Sequence, residues 1–205
     1  MNVQPANNMT HGGADGSPRR DIRWRLAMWA VVVALVLQIP LVAMQFTDEV
    51  KWTPFDFIFM GVLLFGSALI YELVARLGSN AAYRAAVGLA CMTGLVLVWV
   101  NGAVGIIGEV DEANVMYFGV ILIGFVAACI ARFEPRGMVR ALVVTAVAQA
   151  LVPLIALTFV PTADFAPGVG KVLMLNGFFV ALWIGSALLF REAAPKPHAK
   201  LANEG

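Results

Sequence analysis

Residues 99–117, WVNGAVGIIGEVDEANVMY, show how the whole chain is organised. An apolar run that contains Asn101 ends in glycines, and the acidic residues Glu109, Asp111 and Glu112 follow it. The chain then returns at Asn114 into a second apolar run. Two apolar runs joined by a short acidic loop are typical of a helical hairpin that crosses a membrane twice.

The composition of the rest of the chain supports the same interpretation. Of the 205 residues, 60% are hydrophobic and only 13% are charged, and the mean hydropathy is +0.83. A water-soluble domain needs more polar surface than this to cover its core. The sequence therefore predicts an all-α integral membrane protein, for which the lipid bilayer is the solvent.

Apolar runs long enough to cross a hydrocarbon core of roughly 30 Å as helices recur along the chain. The predicted spans are residues 24–46, 55–77, 85–107, 115–131, 141–160 and 172–190. We therefore predict a bundle of six transmembrane helices within residues 21–191. Trp99 and Tyr117 fall near one boundary of the predicted spans, where aromatic residues form interfacial belts.

The two ends of the chain differ from the predicted bundle in composition. Residues 1–20 are rich in Asn, Gly, Pro and Ser, and residues 192–205 are polar and interrupted by proline. Such segments cannot bury enough apolar area to offset the loss of conformational entropy on ordering. We expect both segments to be disordered tails.

Lys and Arg are concentrated on one side of the predicted bundle. Twelve of the 14 basic residues fall on the side that holds both termini, and only Lys51 and Lys171 fall on the other. Because cytoplasmic loops carry such an excess of basic residues, both tails are predicted to be cytoplasmic. On the external face, Glu109, Asp111 and Glu112 form a candidate acidic patch. We expect it to be a solvated loop, with a partner-docking surface or a metal site as the alternatives.

A few polar side chains inside the apolar runs form a candidate intramembrane site. Arg76 follows Glu72 by four residues, so the two share a helix face and favour an ion pair at the cytoplasmic boundary. Asn101, Gln149 and Asn176 are amides, which usually cross-link membrane helices by hydrogen bonds. The alternative is a polar cavity that relays a proton or cation, or binds a polar solute.

The residues that the chain lacks narrow its function. His11 and His198 both lie in the predicted tails, which argues against intramembrane haem ligation, HExxH metal chemistry and a Ser–His protease. No phosphate-binding loop and no dense basic patch for nucleic acid is present. Cys91 and Cys129 fall inside apolar runs, and we predict both to be small buried residues. We therefore expect no catalytic residue, metal, cofactor or nucleic-acid partner.

The run WVNGAVGIIGEVDEANVMYFGV at 99–120, followed by ARFEPRGMVRAL at 131–142, resembles a set of small bacterial inner-membrane proteins of unassigned function. The resemblance covers about the second to the fifth predicted span. It implies a multi-pass protein of the bacterial cytoplasmic membrane, and it supplies no activity, substrate or catalytic residue.

Two hypotheses of function carry most weight. The first, favoured because buried ionisable groups are scarce, is a non-enzymatic structural or accessory subunit. Such a subunit would contact the lipid bilayer and either a membrane-protein partner or further copies of itself. The second is a small transporter or channel for a cation or small polar solute, which would use Glu72, Asn101, Gln149 and Asn176. A membrane enzyme is a third and weaker hypothesis, because no group of residues suggests a reaction.

The charge asymmetry makes a testable prediction about orientation. A fluorescent protein fused after Gly205 should fluoresce, whereas alkaline phosphatase fused there should be inactive, because its disulfides form only outside the cytoplasm. Phosphatase fused after Lys51, in a predicted external loop, should be active. The reverse pattern at the two positions would contradict the predicted orientation.

Overall fold

The computed structural model describes residues 18–78, 80–107, 111–162, 165 and 168–195. Within them, each of six helices is long and apolar enough to cross a membrane. They are α1 (Pro18–Phe46), α2 (Pro54–Ala75), α3 (Ala81–Val104), α4 (Asp111–Ile130), α5 (Pro135–Ala156) and α6 (Val169–Ala193). The described part of the chain contains no strand, and the predicted all-α class and its helices are confirmed.

The observed helices extend beyond the predicted spans at several ends. α1 begins at Pro18 and α6 ends at Ala193, so helical structure enters both predicted tails, whose remaining parts 1–17 and 196–205 lie outside the described residues. α4 begins at Asp111, and α5 begins at Pro135. Hydropathy marks only the part of a helix that lies in hydrocarbon, whereas the hydrogen-bonded helix continues into the interfacial region.

α6 is the central helix of the bundle. It packs against α3 and against α5, and α4 packs against α5 and less extensively against α3. α2 packs on α3, and α1 packs on α2 at the periphery. None of the apolar window of α1 is buried inside the protein. The helices α3 to α6 therefore form a core to which α2 and α1 are added in turn.

Three contacts join α6 to the beginning of α3. The Ser186 hydroxyl donates a hydrogen bond to the carbonyl of Ala86 at 2.8 Å. The Phe190 ring packs edge-to-face on the Tyr83 ring, with centroids 5.2 Å apart. Asn80, the N-cap of α3, donates from its side-chain amide to the carbonyl of Ala193 at 3.0 Å. These contacts place α6 beside α3 at the end of the bundle where most arginines lie, the Arg-rich end.

A tight turn joins α4 to α5. Arg132 and Phe133 both have positive φ angles, 53° and 57°, in the left-handed region that non-glycine residues rarely adopt. The Tyr83 hydroxyl donates to the Phe133 carbonyl at 2.9 Å and so stabilises this turn from α3. A Cβ on Gly137 would lie 3.0 Å from the Ala131 carbonyl oxygen, so the close return of the chain requires glycine there.

α4 and α5 also approach closely in the middle of the bundle. A Cβ on Gly124 of α4 would lie 2.9 Å from Oγ1 and 3.2 Å from Cγ2 of Thr145 on α5. Thr145 is buried, and its hydroxyl already donates to the Ala141 carbonyl at 2.9 Å. Small residues at such contacts allow the close packing that holds helices together in lipid.

The prediction that both cysteines are buried is wrong for Cys129. Cys129 is exposed on the outer surface of α4, whereas Cys91 of α3 is partly buried. Both residues lie in helices that are apolar on every side, and such a helix carries no periodic signal that separates its buried face from its outer face.

The contact between α4 and α5 can be tested with two glycines of the same helix. Gly124→Ala should lower the free energy of unfolding by about 1–3 kcal/mol, because the added methyl overpacks the site against Thr145. Gly119→Ala is the matched control, since a Cβ there meets nothing within 4 Å. It should be neutral or slightly stabilising because alanine favours a helix. Unfolding in detergent micelles measures both changes, and equal effects would contradict the close contact.

Candidate functional site

Glu72 of α2 is the buried carboxylate of the described bundle, with 2% of its surface exposed. Its Oε1 accepts hydrogen bonds from Arg25 Nε at 3.0 Å and from Trp29 Nε1 at 3.2 Å. Its Oε2 accepts from Arg76 Nη2 at 3.4 Å, the ion pair that the four-residue spacing predicts. Burying a carboxylate is costly unless it is paired, and these donors supply both charge balance and hydrogen bonds.

The sequence alone did not identify the partners of Glu72 on α1. Arg25 and Trp29 lie four residues apart on one face of α1, and both reach the carboxylate of Glu72 on α2. The signal that could have found them is this spacing, at the same predicted depth as Glu72. The ionic cluster of Arg25, Trp29, Glu72 and Arg76 therefore joins the peripheral helix α1 to α2.

A second polar cluster joins α4, α5 and α6 in the core of the bundle. Gln149 Nε2 donates to Asn176 Oδ1 at 2.9 Å. Asn176 Nδ2 lies 2.9 Å from the Tyr117 hydroxyl oxygen and 2.9 Å from the Val172 carbonyl oxygen. The amide cluster of Tyr117, Gln149 and Asn176 is buried throughout. Its amides cross-link helices, which is the simpler of the two roles that the sequence suggests for them.

Tyr117 is the member of this cluster whose location the sequence predicts wrongly. Its position near a span boundary favours an interfacial aromatic residue, but only 1% of its surface is exposed. The structure turns the ring into the bundle, where its hydroxyl finds the Asn176 side chain. A buried tyrosine needs such a partner for its hydroxyl, and in the described bundle α6 supplies it.

Asn101 lies apart from the amide cluster, and its side chain joins the end of α3 to the start of α4. Its Nδ2 donates to the carbonyl of Asn114 at 3.0 Å, and the Ile107 N–H donates to Asn114 Oδ1 at 3.0 Å. Gly105, with φ at 65°, ends α3 and donates to the Asn101 carbonyl at 3.1 Å. No hydrogen bond between described residues joins Asn101 to Asn176, so these two amides form separate contacts.

Two amide oxygens in these contacts carry no bond. Asn101 Oδ1 and Gln149 Oε1 are buried and have no hydrogen-bond partner among the described residues. They belong to different clusters and do not form one polar site with Glu72. Each leaves its contact less stable than a fully bonded pair would be.

The predicted acidic patch is the least defined of the candidate sites. Glu109 lies outside the described residues, and the side chains of Asp111 and Glu112 are likewise outside them. The backbone of Asp111 and Glu112 forms the first turn of α4, where acidic residues interact favourably with the helix dipole. In the described ranges, no three His, Cys, Asp or Glu residues come together in a metal-binding group.

A cavity of about 480 Å³ lies between α1, α2 and α3, and the sequence does not predict it. Its walls are mainly apolar, and its lining includes Trp29, Val36, Leu64, Tyr71, Arg84 and Leu95. Asn101, Gln149 and Asn176 do not line it. The polar groups of the bundle and its cavity are therefore largely separate.

A bundle of six helices, each long and apolar enough to cross a membrane, defines a multi-pass membrane protein. Comparison with known proteins adds no relative, since no family model, no curated protein and no solved structure matches the chain. The proposed function therefore rests on the geometry of the site residues.

The amide cluster predicts an order of destabilisation. Asn176→Leu should lower the free energy of unfolding by about 2–3 kcal/mol, because it leaves the Tyr117 hydroxyl and the Gln149 amide without a partner. Gln149→Leu should lower the free energy of unfolding by about 1 kcal/mol or less, because Asn176 keeps its hydrogen bond to Tyr117 and the unbonded oxygen of Gln149 is removed. Unfolding of each variant in detergent measures the order.

Thr93→Val provides the control for replacing a buried polar group. Among the described residues, the Thr93 hydroxyl bonds only to the Leu89 carbonyl of its own helix, at 2.7 Å, so this change breaks no hydrogen bond between the described helices. It should destabilise the protein less than Asn176→Leu. Equal costs at all three positions would contradict a cross-linking role for Asn176.

Proposed function

We propose that the protein is a non-enzymatic structural or accessory subunit of the bacterial cytoplasmic membrane. The observation that carries this proposal is that the polar groups within the bundle are used in separate helix–helix contacts. Glu72 binds α1, Gln149 and Asn176 bind each other, and Asn101 binds the start of α4. Groups engaged in this way stabilise the helix arrangement.

Transport of a cation or small polar solute is the competing function. A transport route requires polar groups that converge on a water-accessible path through the bundle. Glu72 instead receives three donors, and the cavity beside it has mainly apolar walls. The unbonded oxygens of Asn101 and Gln149 are the observation in favour of transport, but they belong to separate clusters.

The membrane and the orientation belong to the same proposal. The resemblance of residues 99–142 to small bacterial inner-membrane proteins supports the bacterial cytoplasmic membrane. The concentration of Lys and Arg at one end of the bundle supports cytoplasmic termini. The Arg-rich end would then face the cytoplasm, and the patch of Glu109, Asp111 and Glu112 would face outward.

An accessory subunit needs a surface for its partner or for a second copy of itself. α1 offers one, because Val31, Leu35 and Ile39 follow each other at four-residue spacing and are all exposed. The acidic patch offers another on the predicted external face. Either surface is compatible with a protein that acts by binding another membrane protein.

Glu72→Gln separates the two functions. It should lower the free energy of unfolding by about 1–3 kcal/mol, because Arg25 and Arg76 lose the carboxylate that they share. The effect is moderate because both arginine side chains are partly exposed to screening by solvent. Proteoliposomes of the wild type and of the variant should be as impermeable to H⁺, Na⁺ and K⁺ as empty liposomes. Glu134→Gln is the control, since Glu134 is exposed and its side chain makes no capping bond.

Native mass spectrometry after mild-detergent purification completes this test. The accessory function predicts a stoichiometric membrane-protein partner or a homo-oligomer. If the acidic patch is the docking surface, replacing Glu109, Asp111 and Glu112 by amides should weaken this complex. A wild-type protein with pH-dependent flux that Glu72→Gln abolishes would overturn the accessory function and favour transport.

A further inference from the structure

We propose that the cavity between α1, α2 and α3 binds an acidic phospholipid of the surrounding membrane. An acyl chain would occupy the cavity, and the anionic headgroup would lie beside Arg84. The walls of the cavity, its depth and the charge at its end support this binding, whether or not the protein is an accessory subunit.

The walls of the cavity suit an acyl chain. Val32, Val33 and Val36 of α1 face Leu64 and Ala68 of α2 across a volume of about 480 Å³. Leu95 and Met92 of α3 complete the deeper part of the lining. An apolar space of this size holds water poorly because it offers few hydrogen-bond partners, whereas a hydrocarbon chain gains favourable burial in it.

The depth of the cavity corresponds to one leaflet of the bilayer. On α3 its lining extends from Arg84, near the first residue of the helix, to Leu95. At about 1.5 Å per residue this distance is about 16 Å. The hydrocarbon core of a bilayer is roughly 30 Å thick, so the cavity reaches from one boundary to about the midplane.

This depth favours a lipid chain over a partner helix. A transmembrane helix from another protein would need a groove that extends across both leaflets, whereas this cavity ends near mid-depth. A lipid of the leaflet at the Arg-rich end has its headgroup at the boundary and its chains in the same half of the membrane. The geometry therefore matches a lipid of that leaflet.

The charge at the boundary end of the cavity favours an acidic headgroup. Arg84 lines the cavity and is exposed, and no carboxylate lies within ion-pair distance of it among the described side chains. Trp29, which also lines the cavity, donates to Glu72, whose single charge is shared by Arg25 and Arg76. This end therefore carries excess positive charge, which attracts anionic lipid headgroups.

The test uses the full-length protein in mild detergent, with lipid binding followed by native mass spectrometry. Phosphatidylglycerol is the probe, phosphatidylethanolamine with the same acyl chains is the zwitterionic comparison, and glycerol phosphate supplies an anionic headgroup without chains. We expect phosphatidylglycerol to bind at one site, more tightly than either comparison, because both the acyl chain and the charge contribute.

Variants test the two parts of the site separately. Arg84→Gln should weaken phosphatidylglycerol binding about fivefold, the effect of one basic side chain near a headgroup, and should reduce the preference over phosphatidylethanolamine. Ser67→Phe places a ring in the cavity lining and should weaken both lipids while leaving the charge unchanged. Arg140→Gln is the control, since Arg140 is exposed on α5 and does not line the cavity.

Several outcomes would overturn the proposal. Equal binding of the two phospholipids would show that the site does not select an acidic headgroup. Equal effects of Arg84→Gln and Arg140→Gln would show that Arg84 does not bind the headgroup. Glycerol phosphate binding as tightly as the lipid would indicate an anion site that needs no chain. Should Ser67→Phe fail to fold, Arg84→Gln decides the outcome alone, because it changes an exposed side chain.

Discussion

The hydrogen bonds of Asn176 hold together the centre of this bundle. Asn176 lies on α6, the central helix, and its side chain contacts Tyr117 of α4 and Gln149 of α5. In a membrane the surrounding lipid is as apolar as the helices, so burial of apolar surface does little to choose which helices pair. Specific polar contacts and close approaches, such as that of Gly124 to Thr145, then determine the arrangement.

The same requirement explains how α1 is attached to the rest of the protein. α1 buries none of its apolar window, so apolar packing alone gives it a weak hold on the bundle. The carboxylate of Glu72 must be paired, and the donors on α1, Arg25 and Trp29, are supplied at the Arg-rich end. Trp29 of the ionic cluster also lines the cavity that lies between α1, α2 and α3. The ionic cluster and the cavity are therefore parts of one arrangement.

The function that we propose follows from where the polar groups are used. Glu72 and the amides would support transport if they lined one path, and in the structure they serve three different contacts. The cavity adds a property that none of these residues suggests, since its apolar walls and exposed Arg84 fit an amphiphile better than a small polar solute. A subunit that binds an acidic lipid and a membrane partner would be consistent with both observations.

The sequence by itself determined the class of protein, the number and approximate limits of the helices, and the pairing of Glu72 with Arg76, because hydropathy and four-residue spacing are properties of the chain taken locally. It also identified Asn101, Gln149 and Asn176 as polar groups that require partners. Only the tertiary structure decided which partners they have, because Arg25 is 47 residues from Glu72 and Tyr117 is 59 residues from Asn176. These helices are apolar on almost every side, so their sequences carry no periodic signal for the face that meets a neighbour.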